Sequence, residues 1–132
     1  MKKFDRWAPT VIRLTLGVIF IKHGWLKFQS LLKWVATGQS WSLVETVSFM
    51  PFLSPLFWAV VVTLAELVGG LAVFVGYWTR LGASLIATVM AFAIVAVHLP
   101  QGDAVEFQAA LLSMAVSLIL TGPGRYSIKL IK

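Results

Sequence analysis

Midway along the apolar run PLFWAVVVTLAELVGGLAVFV stands Glu66, a residue type that hydrocarbon surroundings penalise unless something compensates it. A carboxylate there must either hold a proton or pair with a cation such as Lys27 or His23. Glu66 lies about ten residues, or roughly 15 Å, from the outer end of its helix, level with Val18 to Phe20 of the first apolar run. His23 falls about one turn above that level. Lys27, His98 and Glu106 all fall near the outer boundary. His23, Lys27, His98 and Glu106 are therefore expected to line an outward-opening cavity with Glu66 at its floor. Such a set binds a ligand or passes protons to it. Arg13 lies near the opposite boundary and reads as an anchor or an interhelical contact more readily than as a ligand group.

Other chemistry has less behind it. Glu66 has a plainer reading as an interhelical hydrogen-bonding residue that locks packing. The two histidines, alone or with Glu106, are candidate haem or metal ligands, but no histidine pair at i, i+4 and no dense histidine and carboxylate motif supports that. Ser113 and Ser117 lack a positioned base, and Gly69-Gly70 lacks a nucleotide-binding context. With no cysteine, the chain has no thiolate for disulfide exchange, zinc or iron–sulfur ligation, so a redox role requires a bound cofactor or a partner.

The elements that position these residues are apolar spans. Of 132 residues, 59% are hydrophobic and 12% charged, too few to clothe a soluble domain of this size. Stretches of about 20 residues, enough to cross roughly 30 Å of hydrocarbon, occur near 8–28, 56–77, 80–98 and 104–120. The fold class is all-α: an integral membrane four-helix bundle in a single domain, 1–132. The amino end is read as a retained first helix, because no small-x-small cleavage pattern follows Phe28.

An even number of spans puts both termini on one side. Lys2, Lys3, Arg6, Arg80, Arg125, Lys129 and Lys132 make that side the cytoplasm, with Trp7 and Trp78 at its interface and Trp25 and Trp58 at the outer one. The net charge of +6 thus points to anionic lipid, and no motif points to nucleic acid. The outer segment 29–55 is too apolar for a solvated loop and reads as an interfacial connector. Ser42 and Glu45 have capping-box spacing, so a short helix is expected to start there and end before Pro51.

Helical spacing selects one inward face per span. On the first it carries Arg13, Gly17, Phe20, Gly24 and Lys27, with His23 beside it and Lys22 snorkelling on the far side. The second offers Glu66, Gly69, Gly70 and Val73. The third offers Ser84, Ala87, Ala91 and Ile94 leading to His98, and the fourth Glu106, Ala110, Ser113 and Ser117. Thr79 is a candidate N-cap for the third span, and Gly122, Pro123 and Gly124 stop the fourth.

RLTLGVIFIKHGWLKF, AELVGGLAVFVGYWTRLGA, VHLP and EFQAALLSMAVSLILTGPGRYSI together resemble the DoxX family of small four-helix membrane proteins. The likeness covers nearly the whole chain; 29–55 matches only in length and character, and Lys129 replaces an acidic residue common after the glycine-proline-glycine-arginine end. Family members resemble the membrane subunit of a thiosulfate:quinone oxidoreductase, and others are associated with quinone or thiol stress. The resemblance therefore implies a quinone-associated subunit of a redox system in a bacterial inner membrane, working with a partner protein. His23, Glu66 and His98 would supply protons, while Arg13 and Lys27 would hold an anionic form or an acidic substrate. The same pocket also suits a transporter or a binder of a small hydrophobic or acidic molecule, and the connector suits a scaffold for a partner.

Overall fold

The computed structural model describes residues 4–128, all of it helix, turn and loop with no strand among them. Lys2, Lys3, Lys129 and Lys132, counted above toward the charge bias, lie outside the described residues. The elements are α1 (Trp7–Thr37), a short α2 (Ser42–Thr46), α3 (Pro55–Val75), α4 (Thr79–Phe92) and α6 (Glu106–Thr121). Between the last two, α4 runs without a break through a π-helical stretch (Ala93–His98) into the short α5 (Leu99–Gln101).

Helix α1 is 31 residues long and outruns the expected span by nine, ending only where Gly38 takes the left-handed conformation. Hydrocarbon thickness limits an apolar run, but a helix stops where its backbone pattern is broken. The extension is held by Leu31 and Trp34, which pack with Trp41, Val47 and Ala59 in a small second core. Helix α2 begins at Ser42 as expected but not through a capping box. Trp41 is the N-cap, and no side chain caps the turn. Likewise Trp78, not Thr79, is the N-cap of α4, while Thr79 is the first helical residue and is buried. Helix α3 starts with a capping bond, the Phe57 amide donating to Ser54 Oγ at 3.2 Å, followed by Pro55 at the first position.

Helix α1 packs on α3, α3 on α4 and α4 on α6, and the α6 seam with α1 closes the ring. Glycines set the first two crossings. A Cβ on Gly17 would lie 2.6 Å from Phe74 Cβ, one on Gly24 2.8 Å from the Leu67 amide, and one on Gly70 2.9 Å from the Ile21 amide. Gly69 and Gly82 meet in the same way between α3 and α4. The shared core is Leu16, Phe20, Val73, Ala83, Ile86, Met90, Leu111, Ala115 and Leu118.

The expected inward faces of α1 and α3 are the buried ones. Those of α4 and α6 are not. Helix α4 buries Gly82, Ala83, Ile86 and Met90, and α6 buries Leu111, Ala115 and Leu118, leaving Ala91, Glu106, Ala110 and Ser113 exposed. The hydroxyls need no interhelical partner, since Ser84, Ser113 and Thr121 each donate to the carbonyl four residues back. An inward-facing requirement holds for groups that cannot satisfy themselves locally, and serine can.

Candidate functional site

A cavity of about 240 Å³ opens between α1, α3, α4 with its π stretch, and α6, at the end of the bundle that holds α2, which contributes Leu43, Thr46 and Val47 to its wall. His23, Lys27, Glu66 and His98 line it, so four of the five residues expected around the cavity meet there. Glu106 does not; it is exposed in the first turn of α6. Most of the remaining wall is apolar, including Phe20, Val62, Met90, Phe92, Val97 and Phe107.

Two polar pairs interrupt that wall. Antiparallel packing of α1 on α3, at the closeness the glycines allow, brings Lys27 Nζ to 2.6 Å from Glu66 Oε1. Glu66 is 2% exposed and the Lys27 side chain 29%. The carboxylate is thus fully desolvated while the ammonium keeps access to water, and a charge-assisted bond compensates the burial of Glu66. Glu66 Oε2 has no hydrogen-bond partner among the described residues.

The second pair is His98 with Gln108, whose side-chain nitrogens lie 2.8 Å apart. His98 Nδ1 and Gln108 Oε1 are both buried without partners among the described residues. Helix geometry explains how His98 gets there. Eight residues from Met90, it would stand about 80° off that residue's direction on a uniform α-helix. The π stretch takes in an extra residue per turn and turns His98 back toward the Met90 face. His23 stands exposed at the cavity's rim.

Arg13 belongs to the other end of the molecule. Buried to 2% exposure, it donates to the carbonyls of Phe74 at 3.2 Å, Arg125 at 3.4 Å and Tyr126 at 3.2 Å. It thereby fills the open carbonyl end of α3 and ties the segment after α6 to it. Thr10 joins that anchor, donating to the Arg125 carbonyl and accepting from the Arg125 amide, both at 3.0 Å.

Sequence reasoning missed Gln108, Thr46 and Val47 at the cavity. For Gln108 a signal existed. Gln108, Leu111, Ala115 and Leu118 follow a three-four-three spacing, an apolar stripe headed by one polar residue. It lies beside the more polar stripe Glu106, Ala110, Ser113 and Ser117, which is not the buried one.

The DoxX family model matches residues 8–99, which take in α1 from its second residue, α2, α3, α4 and the π stretch with His98. The chain belongs to the DoxX family. Two curated proteins are similar over most of its length. One, from Bacillus subtilis (strain 168), bears the name "Putative oxidoreductase CatD" and is 34% identical over 126 residues, covering 92% of this chain and 84% of its own. The other, "Inner membrane protein YqjF" of Escherichia coli (strain K12), is 29% identical over 133 aligned positions, covering 97% and 94%. No solved structure matches. In this DoxX-family membrane protein, three of the four polar cavity groups expected from sequence that fall in the matched region, His23, Lys27 and Glu66, sit on helices α1 and α3, and the fourth, His98, closes the π stretch.

Proposed function

We propose that this chain is the membrane subunit of a quinone-linked redox system and that the cavity holds the ring of a quinone-class molecule. The observation that carries this reading is an apolar cavity whose lining includes two polar pairs, Lys27 with Glu66 and His98 with Gln108. A quinone ring needs an apolar slot and hydrogen-bonding groups at its oxygens, and this wall supplies both. At about 240 Å³ the space falls below the 300–1,000 Å³ or so of pockets for drug-sized molecules. It suits one ring, with any tail left outside. The chain brings no cysteine thiol of its own, and in this reading electrons pass between the bound ring and a partner protein. The oxidoreductase name of the Bacillus relative agrees with that role.

The four long helical rods cross the bacterial inner membrane in this reading, as the name of the Escherichia relative suggests. Helix α3 and the rod Thr79–Gln101 are long and apolar enough by themselves. Helix α1, at 31 residues about 46 Å long, outreaches the roughly 30 Å of hydrocarbon. Helix α6, with 16 residues, reaches about 24 Å. Val18, Leu64, Val68, Val95, Val116 and Leu120 are all more than two-fifths exposed, an apolar girdle that lipid would cover. Arg6, Arg80 and Arg125, gathered toward one end, support a reading with both termini in the cytoplasm and the cavity opening outward.

Purified protein titrated with a tail-less benzoquinone should gain thermal stability in a saturable manner. His98→Ala, which leaves the Lys27–Glu66 pair intact, should lose at least tenfold in apparent affinity. No shift with any benzoquinone or naphthoquinone would remove the quinone reading.

A further inference from the structure

We infer that the strap 38–54, which carries α2, is a lateral gate latched by Phe49 on Phe92, through which ligand passes between the cavity and the hydrocarbon of the membrane. The cavity then takes molecules that partition into the bilayer. The ligand's identity rests on the quinone reading; the gate itself does not.

The latch lies at hydrocarbon depth. At 1.5 Å per residue, Phe92 stands about 20 Å along α4 from Thr79, beside an α3 that is about 30 Å long. It is thus roughly 10 Å inside the end of α3 that bears Pro55, within the span that hydrocarbon covers. The Phe49 ring stacks on it, with 6.0 Å between centroids and 10° between planes, so the strap dips to that depth. Phe92 lines the cavity and is also 36% exposed, and Phe49 is 51% exposed. The wall here is one side chain thick, with cavity behind Phe92 and lipid in front.

The strap is fastened to α1 and α3 and only latched to α4. Trp41 and Val47 pack with Ala59, Leu31 and Trp34 in the second core, to which α4 and α6 contribute nothing among the described residues. Trp58 Nε1 donates to the Phe52 carbonyl and pins the far end of the strap to α3. No hydrogen bond among the described residues joins 38–54 to α4, the π stretch or α6. An aromatic stack is worth only about two- to tenfold in an equilibrium, so this latch opens readily.

Opening must not strand polar backbone in lipid. The amides of Val44, Val47, Ser48 and Met50 donate to carbonyls within the strap, and the Thr46 hydroxyl donates to the Ser42 carbonyl. The strap can thus pivot as a unit on the second core, between the left-handed Gly38 and Leu53, and lift its Phe49 end from α4. The other thin place is the α1–α6 seam, where His23 and Phe107 line the cavity and are exposed. Parting that seam would divide the shared core, to which α1 gives Leu16 and Phe20 and α6 gives Leu111, Ala115 and Leu118. Parting the strap from α4 divides no core.

Phe49→Cys and Phe92→Cys, the only thiols in such a chain, joined by a short bis-maleimide cleavable with light, lock the gate. In vesicles that carry a decyl-tailed benzoquinone, stopped-flow tryptophan quenching should show association at least tenfold slower for the linked protein than for the same sample after cleavage. Equal rates would overturn the gate and leave the quinone site standing, with the α1–α6 seam as its entry. A second measurement needs no ligand and keeps both rings. Nitroxides on Glu45→Cys and Val95→Cys, two exposed positions, should report a minor population at longer distance, which Phe49→Ala raises about two- to tenfold. A single distance that Phe49→Ala leaves unchanged would overturn the gate whatever the cavity binds. Failure of the cleaved protein to bind any quinone would remove the quinone reading, and the spin labels would then decide the gate.

Discussion

Lys27 and Glu66 differ in solvation, and the difference determines what each substitution does. Removing the cation leaves a carboxylate that is 2% exposed and bonded to nothing else among the described residues. Lys27→Met should therefore cost about 1–3 kcal/mol, less than the 3–5 kcal/mol or so of a fully buried pair because the lysine is partly solvated. The double variant Lys27→Met, Glu66→Leu replaces both charges by apolar groups of similar volume and should recover most of that loss. Thermal unfolding of the three proteins in one detergent checks this. A double variant no more stable than the single would mean that the pair acts through something other than mutual compensation. Glu66 was legible in the sequence because a mid-span carboxylate has few ways to exist, while the choice between Lys27 and His23 as its cation needed the structure. The partners of Arg13 were not legible. Carbonyls at 74, 125 and 126 carry no side-chain signature, and only the return of the chain after Gly122 brings two of them into reach.

At the scale of elements, α1 and α3 could be read because glycine has few reasons to recur at helical spacing opposite a charged residue. Helices α4 and α6 were misread because serine and alanine fit either face, and because the period of α4 changes in the π stretch, where a count at 100° per residue drifts. The π stretch behaves as an α-helix holding one extra residue, with its flanks in register. Deleting Val95, which is 66% exposed and absent from the cavity wall, should convert it to regular α-helix and keep His98 on the Met90 side. Deleting Ala87, within the regular part of α4, should turn everything beyond it by about 100° and detach His98 from Gln108. Thermal stability and benzoquinone binding distinguish the two. The first deletion should retain both within a few degrees and a few-fold, and the second should lose both. Equal damage from the two deletions would show that the π stretch does more than absorb a residue.

For the whole molecule, the glycine-set crossings, the girdle of exposed apolar side chains and the arginines at one end are separate observations that meet in one topology. The absence of cysteine makes that topology measurable, since any thiol introduced is the only one in the chain. Gln39, in the turn after α1, and Asp103, between α5 and α6, are exposed at the cavity's end, while Phe4 is 77% exposed at the end that holds Arg6 and Arg125. None of the three makes a side-chain hydrogen bond among the described residues, so replacement by cysteine should cost little. In intact cells with a permeable outer envelope, a membrane-impermeant maleimide should label Gln39→Cys and Asp103→Cys and spare Phe4→Cys. Opening the inner membrane should make all three react. The opposite pattern would reverse the topology and open the cavity to the cytoplasm, where the ring would meet a different set of redox partners. Labelling of Gln39→Cys without Asp103→Cys would break the even number of crossings, and with it the shared side of the two walls that carry Lys27 and His98.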